Sequence, residues 1–237
     1  LIYITGDTHR DFRRIEEFCV TQKTDRKDIM IILGDAGINY YGEPRDRYLK
    51  QKLAELPLTL FCIHGNHEMR PARIPSYREV IWNSGIAYVE PEYPSLVFAK
   101  DGEIYDLGGI SAIAIGGAYS VDWAYRVMHR WGWWDDEQPS DEIMARVEEQ
   151  LSKANWKVDV VLSHTVPFRY IPVETFLPGI DQSGVDNSTE RWLDEIEGRL
   201  AYRRWFAGHY HTEKTVDRLR IMFNDILDFR QAVDSTA

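Results

Sequence analysis

Leu58-Thr59-Leu60-Phe61-Cys62-Ile63-His64-Gly65-Asn66-His67-Glu68 is the stretch on which the fold turns. A short, largely apolar run passes directly into a polar cluster. Runs of this kind suit strands buried on both faces. The pattern recurs along the chain. Residues 2–4 lead into Gly6-Asp7-Thr8-His9, residues 29–33 into Gly34-Asp35, residues 158–162 into Ser163-His164, and residues 205–207 into Gly208-His209-Tyr210-His211. Five of the seven histidines, His9, His67, His164, His209 and His211, fall in these strand-end motifs, and His64 directly precedes one of them. Neutral imidazoles and carboxylates are the ligands that hold catalytic divalent metals.

Working outward, residues 104–107 and 110–115 read as a strand pair around Gly108-Gly109, and residues 219–223 as a late strand. Helical spacing appears around Ile15, Phe18 and Cys19, and in residues 45–56, which stop before Pro57. A helix over 141–153 has Ser140 as N-cap and acidic residues in its first turn. Another over 188–200 is opened by Asn187, with Glu190 as the reciprocal cap. Strand–helix alternation early and clustered strands later predict a mixed α/β fold. In such folds the C-terminal ends of the strands gather into one crevice where ligands bind. The candidate ligands run from Asp7 to His211, so residues 1–237 are expected to form a single domain. Two irregular segments, 119–140 and 165–186, are candidate lid or substrate loops.

An apolar share of 44% over 237 residues allows a sizeable core. The net charge of −10 argues against a basic surface for long nucleic acid. Two bound divalent ions would nevertheless outweigh Asp7 and Asp35 locally and draw phosphate. Cys19 and Cys62 make no disulfide framework, and no apolar run approaches transmembrane length. A cytoplasmic setting and no membrane partner are the expectation.

Asp7 and His9, two residues apart at a strand end, can point to one side and serve one metal. Asp35 has two oxygens and can bridge two ions. Asn66 offers a neutral carbonyl, and His164, His209 and His211 offer nitrogens. This oxygen and nitrogen set without thiolate suits manganese, iron or zinc. A two-metal site can activate water and clamp an in-line displacement at phosphorus.

In order, these blocks resemble the calcineurin-like metallophosphoesterases, whose pattern is Asp-x-His, Gly-Asp, Gly-Asn-His-Glu/Asp, a lone His, and Gly-His-x-His. Each block alone is weak, and the ordered set over about residues 6–211 is specific. The resemblance implies a four-layer αββα sandwich with two central mixed β-sheets. It implies one metal held by Asp7, His9, Asp35 and His211, and a second held by Asp35, Asn66, His164 and His209. A hydroxide bridging two divalent ions would attack the phosphorus of a mono- or diester. His67 would be the catalytic non-ligand histidine that stabilises the transition state or protonates the leaving group. The expected partner is a phosphorylated small molecule or nucleotide. In the protein serine/threonine phosphatases of this family the second block reads Gly-Asp-x-Val-Asp-Arg-Gly. Here Ile38 and Asn39 stand in its Asp and Arg positions, which argues against a dedicated protein phosphatase. Arg70 matches that branch's third block, so Asn39 and Arg70 are candidate phosphate contacts. Gly116-Gly117 is similar to a further family feature near the site.

Blander readings compete at other residues. His64 could line the pocket or be a packed, hydrogen-bonded side chain, and His129 reads as surface or structural. Trp131, Trp133 and Trp134 could stack on a base, with core or lid packing as the default. Arg126, Arg130 and Arg169 could grip phosphate, with ion pairing as the default. Asp135-Asp136-Glu137 reads as a solvated loop face. The alternatives to a phosphoesterase are a nuclease or nucleotide-directed phosphodiesterase, supported by the Trp-rich segment, and a non-catalytic scaffold. A scaffold would be expected to have lost ligand histidines, and His9, His67, His164, His209 and His211 are all present.

Overall fold

The computed structural model describes residues 1–179 and 182–235, so Ile180 and Asp181 of the expected 165–186 loop lie outside the described residues. The first half of the chain runs β1 (Ile2–Thr5), α1 (Arg13–Gln22), β2 (Ile29–Ile32), α2 (Arg45–Ala54) and β3 (Thr59–Cys62). Then come β4 (Arg78–Trp82), β5 (Gly85–Val89), β6 (Leu96–Ala99), β7 (Ile104–Asp106) and β8 (Ser111–Ile115). The second half runs α3 (Trp123–Met128), α4 (Asp141–Lys153), β9 (Val160–Ser163), α5 (Ser188–Glu197) and β10 (Arg204–Ala207). It closes with β11 (Lys214–Val216), β12 (Leu219–Ile221), β13 (Leu227–Asp228) and α6 (Phe229–Asp234).

The strands form two mixed sheets. One has the order β13-β1-β2-β3-β6-β5-β4, and the other β11-β12-β10-β9-β8-β7. In the first, β1, β2, β3 and β6 are parallel, and in the second β12, β10, β9 and β8 are. Three apolar clusters divide the sheets into layers. Ile4, Ile31, Phe61, Val160, Leu162 and Phe206 fill the space between the sheets. Ile15, Cys19 and Leu53 of the first helices pack on Met30, Ile32 and Leu60. Val147, Leu151, Leu193 and Ile196 of α4 and α5 pack on Ile113, Val161 and Trp205. Side chains alternate along each strand, so each central strand feeds two apolar layers and reads as a continuous apolar run. The result is the αββα sandwich, with all the expected strands and helices in place.

Three local differences have clear causes. The β4–β5 hairpin is absent from the sequence reading, because β4 is largely exposed and its apolar residues carry no periodic signal. Its turn at Asn83 and Ser84 takes left-handed φ of 45° and 71°, the twist that suits a two-residue hairpin loop. Residues 119–140 contain a short helix, α3. Ser140 caps α4 through the Ile143 N–H as expected, but Asn187 makes no side-chain cap on α5. Asp186 accepts the Ser188 N–H instead, and Glu190 accepts the Thr165 hydroxyl at 2.7 Å. No helix among the described residues is long and apolar enough to cross a membrane.

Candidate metal centre

The parallel strands of both sheets end on one side of the sandwich, and the histidine motifs follow those ends. Asp7 and His9 follow β1, Asp35 follows β2, and Asn66 and His67 follow β3, all from one sheet. His164 follows β9, and His209 and His211 follow β10, from the other. The sharp exits from the strands are visible in the backbone. His9, Asp35, His209 and His211 take φ of 46°, 47°, 70° and 49°. Side chains rarely occupy that region, and such strain persists where the surroundings over-determine it. The motif glycines make room. A Cβ on Gly65 would lie 2.0 Å from Asp35 Oδ1, and one on Gly208 would lie 2.2 Å from Asp7 Oδ1. Neither position can carry a side chain without moving a carboxylate.

The side chains converge in overlapping groups. Donor atoms of Asp7, His9 and His211 lie within 4.8 Å of one another, as do those of Asp7, Asp35 and His164. His9 Nε2 lies 2.7 Å from His211 Nε2 and 3.8 Å from Asp35 Oδ2. His164 Nε2 lies 3.5 Å from Asp35 Oδ1 and 2.8 Å from Asn66 Oδ1. The His209 ring packs against the His164 ring with centroids 5.0 Å apart. His67 also falls in the cluster, within 4.8 Å of His9 and Asp35 donor atoms. Asp35 therefore stands between the Asp7 side and the Asn66 side. Asp7 and Asp35 are buried and held by backbone donors, from His209 at 3.0 Å and His67 at 2.7 Å.

The donors fit a divalent cation. His164 Nδ1 donates to the Leu33 carbonyl at 2.8 Å, which in the neutral ring leaves a lone pair on Nε2. That lone pair faces Asn66 Oδ1, whose amide nitrogen is turned away to donate to Ser120 Oγ at 2.9 Å. Two acceptors aimed at each other call for a positive charge between them. In the metal-free protein a proton serves. Burial opposes the charged His164 imidazole, but the Asp35 and Asp7 carboxylates outweigh it and hold its pKa up to about 9. Burial drives the neighbouring His209 down to about 3, with repulsion by His164 adding to it. It is therefore a neutral nitrogen donor at physiological pH. Burial raises the Asp7 and Asp35 carboxyls, yet the surrounding histidines overcome it and keep both ionised below the usual range. Burial lowers the His67 pKa, with the Arg126 charge acting in the same direction.

The remaining expected residues are placed as follows. Asn39 is buried and exchanges hydrogen bonds with the Tyr77 hydroxyl at 3.0 and 3.1 Å. Arg70 is buried, with Nη1 on Asp101 at 2.5 Å and Nε on the Asp136 carbonyl at 2.7 Å. Asn39 is thus engaged away from the cluster, and so are two of the three Arg70 nitrogens, its Nη2 having no hydrogen-bond partner among the described residues. His64 is buried, and neither ring nitrogen has a partner among the described residues, so it is packed but not hydrogen-bonded. His129 is exposed and bonds the Tyr125 carbonyl. Gly116 and Gly117 lie against His64, and the Gly117 N–H donates to its carbonyl.

Trp131 is 55% exposed and packs edge-on against Tyr125 within the candidate lid segment, while Trp133 and Trp134 are half-buried against Trp123 and Tyr40. One default of the sequence reading is corrected. Glu137 is buried rather than solvated, accepting the Ser120 N–H at 2.9 Å. Ser120 and Glu137 escape sequence reasoning as functional candidates. Ser120 lies 54 residues from the amide it fixes, and no local pattern announces that contact.

The family model for calcineurin-like phosphoesterases matches residues 1–213. The chain belongs to this family. The general chemistry of calcineurin-like phosphoesterases is metal-dependent phosphoester hydrolysis, and the Asp/His clusters of this chain could hold metal. Among solved structures, TT1561 of Thermus thermophilus is 12% identical at a TM-score of 0.51, covering 94% of this chain and 87% of that one. At that identity the likeness shows the fold alone. A phosphopantetheinyl hydrolase from Mycobacterium tuberculosis is 14% identical at a TM-score of 0.49, with coverage of 94% and 87%. No curated protein matches this phosphoesterase in sequence.

Proposed function

We propose that the chain is a dinuclear phosphoesterase acting on a phosphorylated small molecule or nucleotide. The observation that carries this reading is the position of Asp35, within 3.8 Å of His9 on one side and 3.5 Å of His164 on the other. A carboxylate so placed can serve two ions at once. Asp7, His9, Asp35 and His211 would hold one, and Asp35, Asn66, His164 and His209 the other. Manganese, iron and zinc all suit the donor set. When bound, two such ions supply an activated water and neutralise charge on the phosphoryl group.

The chain's own residues do the rest. Leu33 fixes the His164 tautomer, and Ser120 fixes the Asn66 amide, so both donors face inward without reorganising. His67 has a half-exposed ring beside the cluster and a depressed pKa. It would hold a proton at the leaving-group oxygen or a hydrogen bond to the phosphoryl group. Trp123, Tyr125 and Trp131 are exposed on the segment that begins at Ser120, and an aromatic or apolar leaving group, a nucleotide base included, would suit such rings. Two unpaired, buried cysteines support a cytoplasmic setting.

The test is hydrolysis of aryl phosphate mono- and diesters by protein loaded separately with manganese, nickel, iron or zinc. Turnover with at least one metal is expected. Metal-loaded protein that turns over neither class would sink the reading.

A further inference from the structure

We propose that Arg126 is the phosphate-binding guanidinium of this site, reaching the substrate's non-bridging oxygens from the Trp-rich segment. This rests on the phosphoesterase reading and names the residue that would grip the substrate.

The helix α3 is built inside out. Its arginine is 1% exposed, while Trp123, Tyr125, Val127 and Met128 around it are 40–71% exposed. A surface helix ordinarily buries its apolar residues and leaves charge in water. Burying a guanidinium is costly unless its donors are used. Arg126 uses one, donating from Nη1 to Ser120 Oγ at 2.9 Å. Its Nε and Nη2 are buried and have no hydrogen-bond partner among the described residues. The Asp122 carboxylate is 3.9 Å from Nη1, beyond hydrogen-bond range, and is itself half-exposed. Ser120 Oγ also receives the Asn66 amide, so two hydrogen bonds separate the guanidinium from the Asn66 side of the cluster.

Other arginines nearby are more fully committed elsewhere, with one buried nitrogen unbonded among the described residues in each of Arg14 (Nε) and Arg70 (Nη2), against two in Arg126. Arg10 holds Asp46 and the Gly37 carbonyl, and Arg14 holds the Gly6, Asp7 and Phe223 carbonyls. Arg70 holds Asp101 and the Asp136 carbonyl. A purely structural role accounts for Nη1, for the Trp134 ring 5.7 Å from the guanidinium carbon and for the nearby Glu137 charge, and still leaves Nε and Nη2 without a hydrogen bond among the described residues. An Nε and Nη2 pair on one edge of the guanidinium is the fork that matches two phosphate oxygens.

The experiment measures the Kd of inorganic phosphate by calorimetry on metal-loaded protein, with metal content and KM for an aryl phosphate alongside. Arg126→Gln is expected to weaken phosphate at least tenfold, and to raise KM, with unchanged metals per chain. Arg126→Lys, which keeps a charge and loses the fork, should also weaken it and guards against misfolding of the first variant. Arg130→Ala, on the same segment but exposed, should leave the phosphate Kd unchanged. A phosphate Kd within twofold of wild type in folded, metal-loaded Arg126→Lys or Arg126→Gln overturns the proposal. So does an equal loss in Arg130→Ala, which would mean bulk charge. A wild type that holds metal and hydrolyses esters while the Arg126 variants bind phosphate normally defeats this inference alone. A wild type without metal or turnover defeats the phosphoesterase reading with it.

Discussion

The strand-end cluster and the Trp-rich segment at 119–140 meet at Asn66 and Ser120, and they treat buried charge in opposite ways. At the strand ends, Asp7 and Asp35 each accept a backbone N–H and are ringed by histidines. In the segment, Arg126 is buried with two nitrogens open among the described residues and its aromatic neighbours turned outward. The first arrangement gathers metal donors, and the second leaves guanidinium donors without a hydrogen bond although Glu137 and Asp122 are near. We read the difference as a division of labour, with strand ends carrying the reaction and the segment carrying recognition of the ester.

The sharpest way to break that division is at Asp35. Asp35→Asn removes charge from the bridge and should lower the rate by roughly 10³-fold or more, since metal-ion stabilisation supplies several kcal/mol. Elemental analysis should show loss of at least one metal. Full metal content with near-normal rate would remove Asp35 from the centre of the account. Next in size, His67→Ala should cost about 10²–10⁴-fold in kcat while both metals stay bound. Donor atoms of His67, His9 and Asp35 lie within 4.8 Å of one another, so loss of metal in this variant would make His67 a ligand instead.

Ser120→Ala tests the join between the two regions. Freeing the Asn66 amide should weaken one metal by about 10–100-fold while the other keeps its affinity. Equal weakening of both ions would mean that Ser120 acts through general packing. A smaller effect concerns pH. Against the cost of burial, the Asp35 and Asp7 carboxylates hold the His164 pKa up to about 9, above its ordinary 6.5. Its stabilisation of metal-free protein is thus fully present below about pH 6.5 and is lost as pH rises through about 9. Thermal unfolding of metal-free protein should show Tm falling across that window, with a flatter profile once metal replaces the proton. A metal-free Tm that rises between about pH 7 and about pH 9.5 would contradict the charge assigned to His164. Smallest of all, Trp131→Ala should change stability by no more than ~0.5 kcal/mol, because the ring is exposed. In our reading it raises KM and leaves kcat alone.

The same contrast explains what was legible in the chain. Strand-end chemistry is local: apolar run, glycine, ligand, all within a few residues, so residues 29–35 and 58–68 announce themselves. The glycines are required because a Cβ on Gly65 or Gly208 would meet a carboxylate oxygen at 2.0 or 2.2 Å. The β4–β5 hairpin offers only a period-two signal over residues 85–89 and an Asn83-Ser84 turn, and its outer strand faces water. Arg126 and Glu137 look like ordinary surface charges in sequence. Both are buried and bonded to Ser120, which itself accepts from an amide 54 positions away. Asn187 and Glu190 fit the capping-box spacing, yet Thr165, from a different part of the chain, takes Glu190. Propensity sees neighbours in sequence, and tertiary hydrogen bonds redirect such side chains.

The most direct measurement is anomalous scattering from crystals of protein loaded with manganese or zinc. The account predicts two peaks about 3.5–4 Å apart, one on each side of the Asp35 carboxylate. A single peak, or metal bound without Asp35 between two ions, would contradict it.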